Sequence, residues 1–207
     1  MNKNKLLNSH VLKTCESALM IALAVLFDFL SKILTAGMSD IFWPGGGGIT
    51  IGMVPLVFIA YRHGNLWGVL SAFVYSGIQL VTGWYAPPAG TLGSFVLCIL
   101  LDYVLAFTVL GLAGFFAGFF KNKIFGYGFG AFSVCMLRFA CSFLSGAIIW
   151  GDWIAWEGFS NPWAYSFMYN ISYMLPNAII TALILSAVCA AIDPKTLKRN
   201  KKQLIVE

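Results

Sequence analysis

Between Arg62 and Lys121 the sequence carries one charged residue, Asp102. No soluble surface can be built from such a stretch, because a soluble domain carries roughly 25% charged residues. Over all 207 residues the charged share is 10%, against 59% hydrophobic. Lipid must be the solvent for the outside of this chain. In hydrocarbon the backbone has to satisfy its own N–H and C=O groups, so an all-α membrane protein is expected. The net charge is +5, but the Lys and Arg fall in short clusters between apolar segments, as membrane topology requires. They do not form a nucleic-acid patch.

A helix needs about 20 apolar residues to cross the hydrocarbon core. Six candidate transmembrane helices stand out, at about 16–34, 49–61, 66–82, 92–120, 126–150 and 163–191. The second is short and contains Pro55, which predicts a tilted or partly unwound segment. "WPGGGGIT" (43–50) is expected to be flexible loop, since a glycine run has little helix propensity. "GWYAPPAGT" (83–91) is expected to turn on the outer side. With six spans, Lys3, Lys5 and Lys13, then Arg62, then Lys121 and Lys123, then Lys195, Lys198, Arg199, Lys201 and Lys202 share one face. Asp40, Asp152 and Glu157 lie on the other, with Lys32 near them. The positive-inside rule then puts the N and C termini in the cytoplasm. The basic start precedes no small-residue cleavage site, so it reads as a cytoplasmic tail. The expectation is a single integral-membrane domain over 1–207, with cytoplasmic tails at 1–14 and 193–207.

Charges inside the bilayer are costly and mark either structure or function. Asp102 lies in the outer half of the fourth span and Arg138 near the middle of the fifth. Two readings stand: the two form a structural pair, or Asp102 faces an outward-open cavity and meets a polar or cationic ligand. Asp28, nearer an interface, fits snorkelling as well as function. Six of the seven Trp (43, 84, 150, 153, 156, 163) fall on the outer side. That excess points to an aromatic cup, since Trp faces attract cations and stack on flat heterocycles. In the sixth span Tyr165, Tyr169 and Tyr173 recur at i+4, and Asn170 and Asn177 at i+7, near one helix face. Tyr165 and Asn170, near the outer end, are expected to touch ligand; the deeper Asn177 is expected to bond between helices.

Ala18, Ala22 and Ala24 in the first span, and Gly111, Gly114 and Gly118 in the fourth, permit close helix contact within the protein or with a partner. Five Cys without CxxC spacing read as small buried hydrophobes rather than disulfides or a metal site. The sequence has no GxxxxGK[ST], HExxH or GxSxG, and its two His lie at or near the cytoplasmic edge. Neither an enzyme nor a cofactor is expected.

The order and spacing of "GGITIGMVPLVFIAYRHG", "LLDYVLAFTVLGLAGFF", "LRFACSFLSGAIIW" and "AYSFMYNISYMLPN", after the Ala18 and Ala22 pair, resemble one family over nearly the whole chain. It is the S components of energy-coupling factor (ECF) vitamin transporters, specifically the thiamine-specific ThiT family. The resemblance implies a six-helix bacterial cell-membrane protein that captures a vitamin outside. It then docks on a transmembrane (T) component carrying two ATPase (A) subunits. It implies substrate-binding roles for Asp102, Tyr103, Trp150, Tyr165, Asn170 and Trp43, and partner docking through Ala18 and Ala22. The family usually has a His one turn after the basic residue of helix five, where this chain has Ser142, and a Glu where it has Asp102. Thiamine is the first ligand expected. The alternatives are an S component for a thiamine precursor or another vitamin and, in different classes, an intramembrane enzyme or a structural scaffold.

Overall fold

The computed structural model describes residues 3–35, 41–43, 47–88, 90–151 and 158–192, with side chains from residue 10. Among these, six long helical stretches are present: α1 (Lys3–Leu34), α2 (Met53–His63), α3 (Asn65–Thr82), α4 (Leu92–Ala117), α5 (Lys123–Ile148) and α6 (Pro162–Ala191). They match the six predicted spans. By length and hydropathy alone only α1, α4, α5 and α6 qualify as membrane spans. The 11 residues of α2 reach only about 16 Å at roughly 1.5 Å per residue. Its outer part is unwound from Gly47 to Gly52, as its sequence predicts, and Pro55 sits in the first helical turn, where its missing N–H costs no bond. Gly64 adopts φ +92° and turns the chain from α2 into α3, a conformation open to glycine.

The other boundaries have local causes. The segment expected as a tail is helical from Lys3, because neither Gly nor Pro interrupts the sequence before Gly37. Asn122 caps α5, accepting from the N–H of Ile124 at 3.1 Å and of Phe125 at 3.3 Å. Asn161 caps α6 with Pro162 at its first position. The C-terminal basic cluster, Asp40, Asp152, Trp153, Trp156 and Glu157 lie outside the described residues.

The core runs along the bundle axis through Ala24, Met53, Val57, Leu110, Val134 and Leu185. Glycines set its tightest contact. A Cβ on Gly111 would overlap the Gly68–Val69 backbone, and one on Gly68 would lie 2.6 Å from Ala60 Cβ. Gly114 faces Asn65 in the same way, whereas Gly118 meets only its own helix. Gly111 and Gly114 therefore serve packing inside the bundle. Helix α1 lies at the periphery, with Leu19 65% and Phe29 60% exposed. Its cytoplasmic part is fastened by a two-point Glu16–Arg62 ion pair (2.7 and 2.9 Å) and by Trp67 Nε1 donating to Ser17 Oγ at 2.6 Å. Ala24 is buried, while Ala18 and Ala22 face outward.

Gly111→Val is expected to lower stability by about 1–3 kcal/mol through overpacking. Gly77→Ala, where nothing lies within 4 Å of a built Cβ, should not destabilise. Thermal unfolding of the two variants in detergent checks this.

Candidate functional site

A cavity of about 410 Å³ opens at the end of the bundle opposite Lys13, Arg62 and Lys121. Its size falls in the range of small-molecule sites, roughly 300–1,000 Å³. All six helices or the segments adjoining them contribute to its wall except the body of α2, which is replaced there by the unwound residues 47–50.

Asp102 reaches the cavity from a π turn, Ile99–Leu105, within α4. Such turns are rare and gather at functional sites. Adjacent residues on a regular helix diverge, yet Asp102 and Tyr103 both line the cavity. One carboxylate oxygen of Asp102 is occupied. Oδ2 accepts from Ser145 Oγ at 2.5 Å and Trp150 Nε1 at 3.3 Å, and the Cys98 thiol lies 3.6 Å away. Among the described residues no hydrogen bond reaches Oδ1.

Arg138 lines the same cavity but forms no ion pair with Asp102; the ion pairs of the described residues all involve Glu16. Its guanidinium carbon lies 4.1 Å from the centroid of the Phe107 ring, a cation–π contact. Its Nε is buried and has no hydrogen-bond partner among the described residues. The structural-pair reading of Asp102 and Arg138 is therefore replaced. Aromatic stacking holds the cation, and Ser145 and Trp150 hold the acid.

The unwound wall is pinned from both sides. Thr50 N donates to Asn177 Oδ1 and Asn177 Nδ2 donates to Gly48 O, each at 2.9 Å. Gly47 N donates to the Tyr169 hydroxyl at 3.2 Å. On the other side Thr50 Oγ1 donates to Asp28 Oδ1 at 2.5 Å. Asp28 Oδ2 also accepts from Tyr75 OH, and from Gln79 Nε2 at 2.7 Å. Three expectations change. Residues 47–50 are fixed by hydrogen bonds rather than loose, while Pro44, Gly45 and Gly46 lie outside the described residues. Asn177 bonds to irregular backbone rather than between helices. Asp28 faces the bundle as the hub of a polar network and does not snorkel.

The rings make the cup expected from the sequence, with more Tyr than Trp. Tyr165, Tyr169 and Tyr173 step down α6 with ring centroids 5.7 and 5.8 Å apart. Trp43 stands edge-on to Tyr173 at 6.3 Å and donates to Ser172 Oγ at 2.6 Å. Trp84 lies behind Tyr103, with centroids 5.5 Å apart. Trp163 is 49% exposed, consistent with an interfacial residue.

The structure brings Asp102, Tyr103, Trp150, Tyr165, Asn170, Ser142 and Trp43 to this one cavity. Two of them are committed elsewhere in part. The Tyr103 hydroxyl donates to Gly83 O at 2.8 Å and accepts from Tyr85 N at 3.1 Å, so the ring face is what it offers the cavity. The Asn170 amide donates to Ser166 O at 2.9 Å, and its Oδ1 accepts from Tyr173 OH at 2.7 Å. Ser142 lies one turn beyond Arg138, and its carbonyl accepts from Asn170 Nδ2 at 3.4 Å. Sequence reasoning missed Gln79 and Tyr85 as lining residues. Gln79, a polar residue in an apolar span, carried a signal; Tyr85, in a turn, carried none.

Comparisons with known proteins agree on one family. Residues 14–197 match the family model for thiamine transporter protein (Thia_YuaJ). The thiamine transporter ThiT of Bacillus subtilis is 29% identical over 97% of this chain and 100% of that protein. ThiT of Lacticaseibacillus paracasei is 28% identical over 82% of each. The solved structure of ThiT from Listeria monocytogenes superposes with a TM-score of 0.71 at 20% identity, covering 92% of this chain and 99% of that one. It shows the same fold.

Because Asp102 has no ion-pair partner, Asp102→Asn should change the ligand-free stability by less than about 1 kcal/mol. Breaking a buried ion pair would cost roughly 3–5 kcal/mol. Thermal unfolding of the ligand-free variant decides between the two.

Proposed function

The chain belongs to the thiamine transporter protein family, and from that premise we propose that it is the thiamine-binding S component of an ECF-type importer. It is a multi-pass protein of the bacterial membrane, in a family of transporters rather than enzymes. Its task is to capture thiamine on the outer side and hold it until a partner module releases it inward.

The observation that carries this reading is Asp102 Oδ1, which no hydrogen bond reaches among the described residues, in a cavity walled by aromatic rings. Thiamine offers a cationic ring and a ring amino group, and a carboxylate serves either. The contact gains from the low dielectric of the site, where charges interact more strongly than in water. Trp150 sits beside Asp102, its indole N–H holding Oδ2, and offers its face for stacking. Tyr165 and Asn170 border the same space and fix orientation. Ser142 lines the same wall, at the position where the family resemblance implies a His, and brings no ring to it.

Delivery requires a partner, since the sequence contains no phosphate-binding loop with which to use ATP. Ala18 and Ala22 support docking on a transmembrane T component with two ATPase A subunits. They are small, one turn apart and outward-facing on the peripheral helix, a pattern that lets another helix approach closely.

Titrating thiamine into the purified protein should quench Trp fluorescence, because Trp150 and Trp43 line the cavity. A quench by a different vitamin and none by thiamine would reassign the ligand. Asp102→Asn should weaken thiamine binding by about 1.5–3 kcal/mol, the scale of a hydrogen bond to a charged group. Replacing Ala18 and Ala22 together by Trp should abolish uptake in cells while leaving the titration of the isolated protein unchanged. Uptake that survives would remove the docking assignment.

A further inference from the structure

We infer that Asp28 is a positioning residue for ligand capture: it holds the unwound segment 47–52 in place as a wall of the cavity and ties that wall to α1. The inference rests on the reading that the cavity captures the ligand, and it gives the two aspartates of the cavity different work.

Both carboxylates line the same space, and position alone does not separate them as partners for a cationic ligand. Their hydrogen bonds separate them. Asp102 has one oxygen that no hydrogen bond reaches among the described residues. Asp28 has protein donors on both, with Thr50 Oγ1 on Oδ1 and Tyr75 OH and Gln79 Nε2 on Oδ2. Its acceptor capacity is spent on the protein.

The geometry of the wall depends on those bonds. Thr50 Oγ1 donates to Asp28 and at the same time accepts from Gly52 N at 2.9 Å. A Cβ on Gly52 would overlap the Asp28 carboxylate, so the backbone at that point is built around the acid. Across the segment Asn177, 2% exposed, takes Thr50 N and Gly48 O. Irregular backbone survives at membrane depth only where such partners replace the helical ladder. Asn177 secures the face toward α6, and Asp28 secures the face toward α1 and α3. Removing Asp28 frees one edge of the wall that Gly47, Gly48, Ile49 and Thr50 present to the cavity.

Position and charge make opposite forecasts for an amide at this site. An Asn side chain accepts from Thr50 with its oxygen and donates with its nitrogen to the Tyr75 hydroxyl oxygen, or to Gln79 Oε1 once that amide turns over, so it keeps the bond to the wall while losing the charge. The test uses the full-length protein, thiamine, and an uncharged analogue with a neutral ring in place of the thiazolium. Asp28→Ala should weaken both ligands by a similar factor, about tenfold or more, equivalent to losing one strong hydrogen bond. Asp28→Asn should restore both to within about threefold of the unsubstituted protein, a residue of less than one ordinary hydrogen bond. Asp102→Asn should lose affinity for thiamine selectively. If Asp28→Asn loses thiamine and keeps the neutral analogue, Asp28 is a charge anchor and the inference is overturned.

Hydrogen exchange of the ligand-free protein supplies a readout that does not depend on thiamine being the ligand. The amides of Thr50 and Gly52 should exchange faster in Asp28→Ala and at the unsubstituted rate in Asp28→Asn. Thr50→Val, which removes the hydroxyl but no charge, should reproduce the alanine variant and serves in its place if that variant does not fold. Unchanged exchange in Asp28→Ala, or in Thr50→Val, would overturn the positioning role. Failure of the unsubstituted protein to bind thiamine, with exchange as forecast, would remove the ligand and leave Asp28 where it is placed here.

Discussion

An amide or carbonyl left unpaired in hydrocarbon costs several kcal/mol, and residues 47–52 meet that cost in the outer part of the second span. A continuous helix there would close the space in which a ligand can sit. The chain unwinds instead, and side chains of α6 together with the hydroxyl of Thr50 take over bonds the helix would have made. Asn177 mimics the peptide group, offering an oxygen to Thr50 N and a nitrogen to Gly48 O. Tyr169 takes Gly47 N. The cavity exists because these side chains make an otherwise forbidden backbone tolerable.

The charges of the cavity follow the same logic of substitution. Asp28 and Asp102 stand with Lys32 and Arg138 along its wall, yet among the described residues no ion pair joins these acids to these bases. Three of them are held by something else: hydroxyls and an amide around Asp28, a hydroxyl and an indole at Asp102, the Phe107 face at Arg138. A direct ion pair would neutralise both partners and leave nothing for a ligand to bind. Keeping acid and base apart leaves Asp102 Oδ1 and Arg138 Nε as polar atoms that no hydrogen bond reaches among the described residues.

Much of this was legible in the sequence because hydropathy and charge act on whole segments. The spacing of the apolar runs marks six helices, and Pro55 marks the irregular second one. Asp102 stands out because it has no charged neighbour between Arg62 and Lys121. What pattern could not reveal depends on contacts between distant residues. Asp28 looks like an interfacial acid until Thr50, Tyr75 and Gln79 are brought to it from 22, 47 and 51 positions away. Asn177 has the spacing of a helix-facing residue, and only the position of the loop opposite shows what it bonds. Helix α1 starts at Lys3, ahead of the span expected from about residue 16, for a simpler reason. Hydropathy reports where lipid begins, whereas a helix continues into water until something breaks it.

The π turn of α4 separates two jobs that a regular helix would lock together. Toward the cytoplasm, α4 packs so closely that Gly111 leaves no room for a side chain beside Gly68 and Val69. Toward the outside, the same helix must aim Asp102 and Tyr103 into the cavity. Along an ideal α-helix the angular phase at one end dictates the phase at the other. Residues 99–105 act as a joint of phase: the extra residue in the wide turn lets the outer half rotate without moving the glycine contact below. Substrate preference can thus drift over evolutionary time in the upper half of the bundle while the lower half stays in register.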